Sequence, residues 1–260
     1  MLELYHWEPN GYFLKPLIAL EEKQVPFVSH WFDPTAFEQY GSEFPHSVEI
    51  ALNLDREGPV LRHDGVQICG SYFMLEYIAE ALPGLELYAA DPVQRYTARA
   101  WGQRLAAIGA DVCLLGSVRY LQPRFARGSA AHVESAVAKI EPLERRLAWR
   151  ALLDGGYDER ALAAVRDRLG FALQRIEAAL VASHWLAGPT YSVADIDAFA
   201  LIWTLPELVP ELVNARSTPH ILLFLERMHA RSAVQRALGY SRSGRPQEAF
   251  VPGAEPSRWG

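Results

Sequence analysis

The polar side chains that could carry chemistry gather at the front of the chain. Tyr5 and His6 close an alternating stretch, Leu2-Glu3-Leu4-Tyr5-His6-Trp7, that reads as a half-buried strand. Pro9-Asn10-Gly11 breaks it, and Tyr12 then stands at the head of a helical pattern. Cys69 ends a later apolar, strand-like run. A phenol, an imidazole and a thiol around one helix start could serve as donor, base or nucleophile. The plainer readings outweigh these: His6 as a satisfied or surface histidine, Cys69 as a strand thiol in the core, Tyr5 as packing. A second set is Gly70-Ser71, at the head of another helical stripe, where a hydroxyl and a helix N-terminus suit a carboxylate. A third is Ser192-Val193-Ala194-Asp195. It has the form of a capping box, with Tyr191 and Ile196 at staple spacing, and is structural rather than chemical.

Composition narrows the classes. The chain has 260 residues, enough for one large domain or two modest ones. Half of them are hydrophobic, so a sizeable core is available. A net charge of −6 and scattered arginines argue against a nucleic-acid footprint and a polybasic membrane patch. Cys69 and Cys113 show neither metal-ligand spacing nor a disulfide framework, so no metal is expected and both thiols are expected buried and reduced. No charged leader precedes an apolar core, and no apolar stretch approaches the ~20 residues that span a bilayer. The expectation is a cytoplasmic protein with no membrane partner.

The elements that must hold these residues can be read from periodicity. Phe13 to Lys23 is helical, with Leu14, Leu17, Ile18 and Leu20 as its stripe and Pro16 in the first turn. Val25–Phe32 is a second strand, and Pro34–Tyr40 a short helix. Pro59–Arg62 and Val66–Cys69 are strands joined at His63-Asp64-Gly65. A helix from Gly70-Ser71 to Leu82 follows, with Phe73, Met74, Tyr77, Ile78 and Leu82 as its stripe. This order, β-α-β then β-β-α, is that of a thioredoxin-like domain over residues 1–83. Residues 84–92 form a linker and 93–240 an all-helical domain, with spans at 92–123, 129–153, 157–182, 192–205, 219–229 and 231–238. The aromatic residues of that domain, among them Tyr96, Trp101, Tyr120, Phe125, Trp149, Phe171, Phe199, Trp203 and Phe224, are expected mostly in the core. Glu141 to Arg146 reads as a solvated face. The tail 241–260, rich in Gly, Pro, Ser and Arg, is expected to be extended or disordered.

This plan resembles the glutathione S-transferase superfamily, a thioredoxin-like N-terminal domain followed by an all-helical C-terminal one. Gly58-Pro59-Val60-Leu61 sits where the family has its X-Pro turn, whose bond is normally cis. Ile68-Cys69-Gly70-Ser71 with Leu75-Glu76-Tyr77-Ile78 resembles the family's strand–Glu-Ser–helix segment, and Ser192 to Asp195 its C-terminal capping box. More narrowly, Phe13-Leu14-Lys15-Pro16-Leu17-Ile18-Ala19-Leu20, Phe32 to Gln39, Thr218-Pro219-His220 and Leu225 to Arg231 resemble bacterial lignin β-etherases. In that branch a glutathione thiolate attacks the carbon bearing an aryl ether, a phenol leaves and a thioether remains.

Set against that resemblance, the glutathione-binding positions are altered. A free thiol has a pKa near ~8.5, so transferases activate it with a hydroxyl or thiol donor at the start of the first helix. In similar β-etherases that donor is a serine just before Leu-Lys-Pro; here it is Phe13. Gly70 replaces the acid that meets the γ-glutamyl ammonium, while Ser71 remains. The loop Asn53-Leu54-Asp55-Arg56-Glu57-Gly58-Pro59 keeps Asn53 and Pro59 and adds negative charge near an anionic ligand. The resemblance thus implies a dimer in which this chain is a degenerate subunit beside a related, catalytically intact one. Glutathione would then be the cofactor of the assembly and an aromatic small molecule its substrate. Two other readings stay open: an active homodimer using Tyr12 or a solvent-assisted thiol, and a carrier for apolar aromatic ligands.

Overall fold

A computed structural model of the chain describes residues 1–36, 58–126, 130–140 and 143–253. The sheet has four strands in the order β2-β1-β3-β4. Strand β1 (Leu2–His6) lies parallel to β2 (Val28–Trp31), with Tyr5 opposite His30, and antiparallel to β3 (Val60–His63), with Tyr5 opposite Val60. Strands β3 and β4 (Val66–Cys69) form a hairpin whose turn residues Asp64 and Gly65 both have positive φ, 48° and 86°. That pairing fits the twist of the strands and is what Asp-Gly favours.

Helix α1 (Gly11–Lys23) is buried along almost its whole length between the sheet and the helical domain. It packs on α2 (Ser71–Ala81), on α8 (Val193–Ile202) and on α11 (Ser232–Leu238). The long helix α3 (Pro92–Gly116), with Asp91 as its N-cap, crosses α7 (Glu159–Ala182) and α8. A π-helical turn, Ser117–Leu121, continues it into α4 (Gln122–Phe125). Helices α5 (Ala130–Val137) and α6 (Leu143–Leu153) stand before α7; α9 (Leu205–Leu208) and α10 (Pro219–His229) come after α8. The whole is a thioredoxin-like sheet domain followed by an all-helical one.

Several expectations need correcting. The helix read across 129–153 is broken after Val137, where Lys139 and Ile140 make i→i−3 bonds and a tighter turn. The second strand is shorter than expected, because Val25 to Phe27 do not enter the ladder. The Pro34–Tyr40 helix and the Asn53–Glu57 loop lie largely or wholly outside the described residues; 34–36 form a turn. No peptide bond among the described residues is cis, so Gly58–Pro59 is trans, the isomer favoured by about 0.5–1 kcal/mol in X-Pro bonds. Cys113 is buried but Cys69 is only partly so. Tyr96 and Phe171 are exposed at 72% and 60%, whereas Trp101, Trp149, Phe199 and Phe224 are core. Arg145 is not on a solvated face: it is buried and donates from Nη1 to the Pro252 carbonyl at 3.2 Å. Residues Pro92–Phe125 are long and apolar enough to cross a bilayer by length and composition, contrary to the sequence reading, but 56% of the apolar window is buried, as in a core helix.

The tail does not leave the body within the described residues. Glu8, in the β1–α1 turn, accepts from the Ser241 hydroxyl, from Arg242 N at 2.9 Å, and from Ser243 N and Oγ at 3.0 and 2.9 Å. A 3-10 turn at Pro246–Glu248 follows, and Phe250 and Val251 are each 4% exposed. Phe250 stacks on Tyr120 with centroids 6.1 Å apart and fills the space beside Gly116.

Candidate functional site

The start of α1 is the natural place to look, because a helix N-terminus offers unpaired N–H groups and a positive dipole end. Asn10 caps it, its Oδ1 accepting from Gly11 N at 2.9 Å. Gly11 enters the helix at φ +50°, a conformation that favours glycine. The same Asn10 oxygen accepts from Trp203 Nε1 at 2.9 Å, and Asn10 Nδ2 donates to the Ala249 carbonyl at 2.9 Å. The cap therefore joins the helix start, the helical domain and the tail.

Tyr12 and Phe13 sit next to this cap and diverge. Phe13 is 3% exposed and meets Trp7 and Phe32 edge-on, at centroid distances of 6.1 and 6.0 Å. These rings belong to an apolar cluster that extends through Val60, Leu121, Val137 and Trp149 to Val251. Tyr12 turns the other way, into the larger core. A Cβ added at Gly109 of α3 would fall 2.7 Å from the Tyr12 hydroxyl, so that oxygen lies against the α3 backbone.

Of the remaining sequence-selected positions, Pro59 and Gly70 flank one end of the β3–β4 pair, next to the paired Val60 and Cys69. Gly58 and Pro59 are buried and lead into β3. Gly70, the N-cap of α2, has φ +83°, and a Cβ there would lie 3.0 Å from the Phe73 ring. Its backbone thus favours glycine over an acid. Ser71 is fully buried at the first position of α2. Asn53 lies outside the described residues. Phe13, Pro59, Gly70 and Ser71 do not line any of four prominent clefts among the described residues.

His6 is fully buried, with Nδ1 2.6 Å from the Trp7 carbonyl and Nε2 2.7 Å from the Ser29 hydroxyl. The carbonyl can only accept, so Nδ1 carries the proton and Nε2 accepts from Ser29. Burial lowers its pKa to about 4, with the positive charge of Arg242 adding to the effect. A neutral ring with both nitrogens engaged is no free base.

Asp195 closes the capping box at α8. It accepts from Ser192 N at 2.8 Å and from Leu186 N at 2.9 Å, and the Ser192 hydroxyl lies 3.2 Å away. Burial pushes its pKa up to about 7 against the pull of those donors. One pair was not anticipated: Lys15 Nζ lies 2.6 Å from Asp197 Oδ1, both side chains at most 4% exposed. Lys15 interrupts an apolar helix and Asp197 an apolar α8, and charge in two such runs was the available signal. A third link, Arg231 to Glu22, is bidentate at 2.5 and 3.0 Å. Among the described residues no group of His, Cys, Asp and Glu could hold a metal ion.

A cleft of 350 Å³ opens beside the α1 cap, lined by Trp7, Glu8, Trp31, Tyr120, Arg124 and Arg242 among others. It lies where the ends of β1 and β2, the π-helical turn and the tail converge. The sequence reading had no means of assembling it, since its walls come from four distant segments.

A small thioredoxin-like sheet docked on a helical domain, with the capping box at the head of α8, is the architecture of the glutathione transferase fold. Residues 130–232 match the glutathione S-transferase C-terminal domain. The chain is 29% identical over 248 residues to Protein LigF of Sphingobium sp. (strain NBRC 103272 / SYK-6), covering 93% of this chain and 94% of that one. The crystal structure of that β-etherase superposes with a TM-score of 0.84 at 28% identity, over 92% of this chain and 99% of the other. A probable glutathione S-transferase of Solanum tuberosum is 44% identical over 114 residues, 44% of this chain and 45% of that protein. A glutathione transferase from Pseudomonas putida, solved with glutathione disulfide bound, shares the fold at a TM-score of 0.69 and 22% identity, over 92% of this chain and 91% of the other.

Proposed function

We propose that this chain is the degenerate subunit of a cytoplasmic β-etherase-type glutathione transferase, paired with a related, catalytically intact chain. The observation that carries this is the Phe13 ring, buried in the first turn of α1 between Trp7 and Phe32. A hydrocarbon ring has no proton to donate to a sulfur and presents none of the polarity a thiolate needs. Three neighbouring features support the reading. The α1 cap is already engaged by Trp203 and Ala249. Gly70 carries no charge for an ammonium, and its backbone resists an acid. The Tyr12 hydroxyl is directed at α3 rather than into a cleft. The residues present do not fit glutathione, and no reaction step is assigned to this chain. In the assembly, the intact subunit would form the C–S bond as the aryl C–O bond breaks, the thiol proton ending on the departing phenol. The scaffold here would serve as its dimer mate, as members of this family are typically dimeric.

The test is turnover by the purified chain. With glutathione and a β-aryl ether it is expected to release no phenol above the uncatalysed rate, and to form a stoichiometric complex with the intact partner in native mass spectrometry. Glutathione-dependent phenol release by this chain alone, abolished in Tyr12→Phe, would establish the active-homodimer reading instead. The cleft beside Trp31 favours a second role that needs no turnover, the binding of an aromatic small molecule.

A further inference from the structure

The cleft between the sheet and the tail holds acids and bases in equal number but pairs them unevenly. Its lining holds three carboxylates, Glu8, Asp33 and Glu248, and three guanidinium groups, Arg124, Arg242 and Arg245. Each carboxylate is engaged. Glu8 takes the donors of Ser241, Arg242 N and Ser243. Asp33 Oδ1 accepts from Thr35 N at 2.8 Å and Thr35 Oγ1 at 2.6 Å. Glu248 faces Arg245 at 3.6 Å. The guanidinium groups of Arg124 and Arg242 have no carboxylate partner among the described residues. Arg242 instead lies over the Trp31 ring, 4.6 Å from its centroid. The Trp31 indole N–H is buried without an acceptor among those residues. Between these donors the surface is aromatic, from Trp7, Trp31 and Tyr120.

Tyr120 is held in place from several directions. Its hydroxyl donates to Glu207 Oε1 at 3.2 Å, Arg119 lies over its ring, and Phe250 stacks on it. It stands in the π-helical turn, a kind of irregularity that often marks a functional wall. The ordered aromatic wall and the two unpaired cations describe one ligand chemistry.

We propose that this cleft binds an aromatic carboxylate, its ring against Trp7, Trp31 and Tyr120 and its carboxylate between Arg124 and Arg242. The inference rests on the aromatic-ligand role given above and adds the charge of the ligand. It does not depend on whether glutathione binds. Guanidinium groups match carboxylates in shape and charge. At 350 Å³ the cleft suits one ring with a short acidic arm rather than a large conjugate.

Calorimetry on the full chain decides it, with 3-phenylpropionate and its uncharged amide as probes and acetate as competitor. The acid is expected to bind at least about tenfold more tightly than the amide, as befits a charge-assisted pair. Arg124→Gln and Arg242→Gln should each weaken the acid about tenfold and leave the amide unchanged, with acetate failing to displace it. Unchanged thermal unfolding of both variants separates this from misfolding, and partial recovery in Arg242→Lys would support the contact. Equal binding of acid and amide, or indifference to both arginines, would overturn the proposal while sparing the aromatic-ligand role. No binding of either probe would end both. Displacement of the acid by micromolar glutathione would overturn it too, because the cleft would then belong to the tripeptide.

Discussion

At the scale of single residues, Phe13 makes the sharpest statement. The family resemblance implies a hydroxyl donor at this position, yet Phe13 is a full member of a packed aromatic cluster with Trp7 and Phe32. Phe13→Ser should therefore cost about 3 kcal/mol or more, the usual figure for removing a buried phenyl ring, measured by urea unfolding. It should not create turnover, because Gly70 and the engaged α1 cap remain. His6 makes a prediction about pH. Above pH 6.5 its ring is neutral in folded and unfolded chains alike, and its contribution is whole. As pH falls from 6.5 to about 4, the unfolded chain takes up a proton that the folded chain refuses, so up to about 3 kcal/mol of stability is lost. Asp195 acts oppositely. With its pKa raised to about 7, it favours the folded state increasingly as pH falls from 7 toward 4. The informative quantity is thus the stability of the unaltered chain minus that of His6→Asn. It should shrink as pH falls from 7 to 4, and a constant difference would contradict the assignment. That Phe13 stands at the head of α1 was legible in the sequence; the cluster it joins was not, since Trp149 and Val251 lie far away in the chain.

The elements follow from local pattern where the pattern is regular. The strand at Leu2–His6 was legible, though all five of its residues are buried rather than half of them as alternation implied; the Asp64-Gly65 turn gave the hairpin, and the stripe of Leu14, Leu17 and Ile18 gave α1. Pattern failed where the determining contact is remote. Arg145 looked solvated because its acceptor, the Pro252 carbonyl, is 107 residues away. The tail has no periodicity, so nothing local reports that Glu8 collects its donors or that Phe250 seats against Gly116. That seat is testable. A Cβ at Gly116 would fall 2.3 Å from the Phe250 ring. Gly116→Val should expel the segment and make residues after Leu238 sensitive to limited proteolysis. Glu8→Ala should do the same, at about 2–4 kcal/mol, since it strands several donors of a charge-assisted group. Protection equal to that of the unaltered chain in both variants would show that the tail is held by other means. The capping box is more local: Ser192→Ala should lower stability by about 1 kcal/mol.

Across the whole molecule, the two halves are joined by buried or partly buried charge rather than by apolar packing alone. Lys15 with Asp197 and Arg231 with Glu22 tie α1 to α8 and to the chain just before α11. Asp197→Ala would leave a buried ammonium without its partner, and a loss of about 3–5 kcal/mol is expected in thermal or chemical unfolding. The fold was readable from the order of elements and the capping motif. The aromatic, arginine-bearing cleft was not, because no single stretch contains it. The scaffold has the architecture of a transferase, and the proposed loss of its thiol site is the claim to measure. The most direct measurement is titration calorimetry of glutathione into this chain by itself. No saturable heat is expected up to about 10 mM, an affinity weaker than roughly 3 kcal/mol. Saturation at micromolar concentration, with one tripeptide per subunit, would contradict the loss of that site.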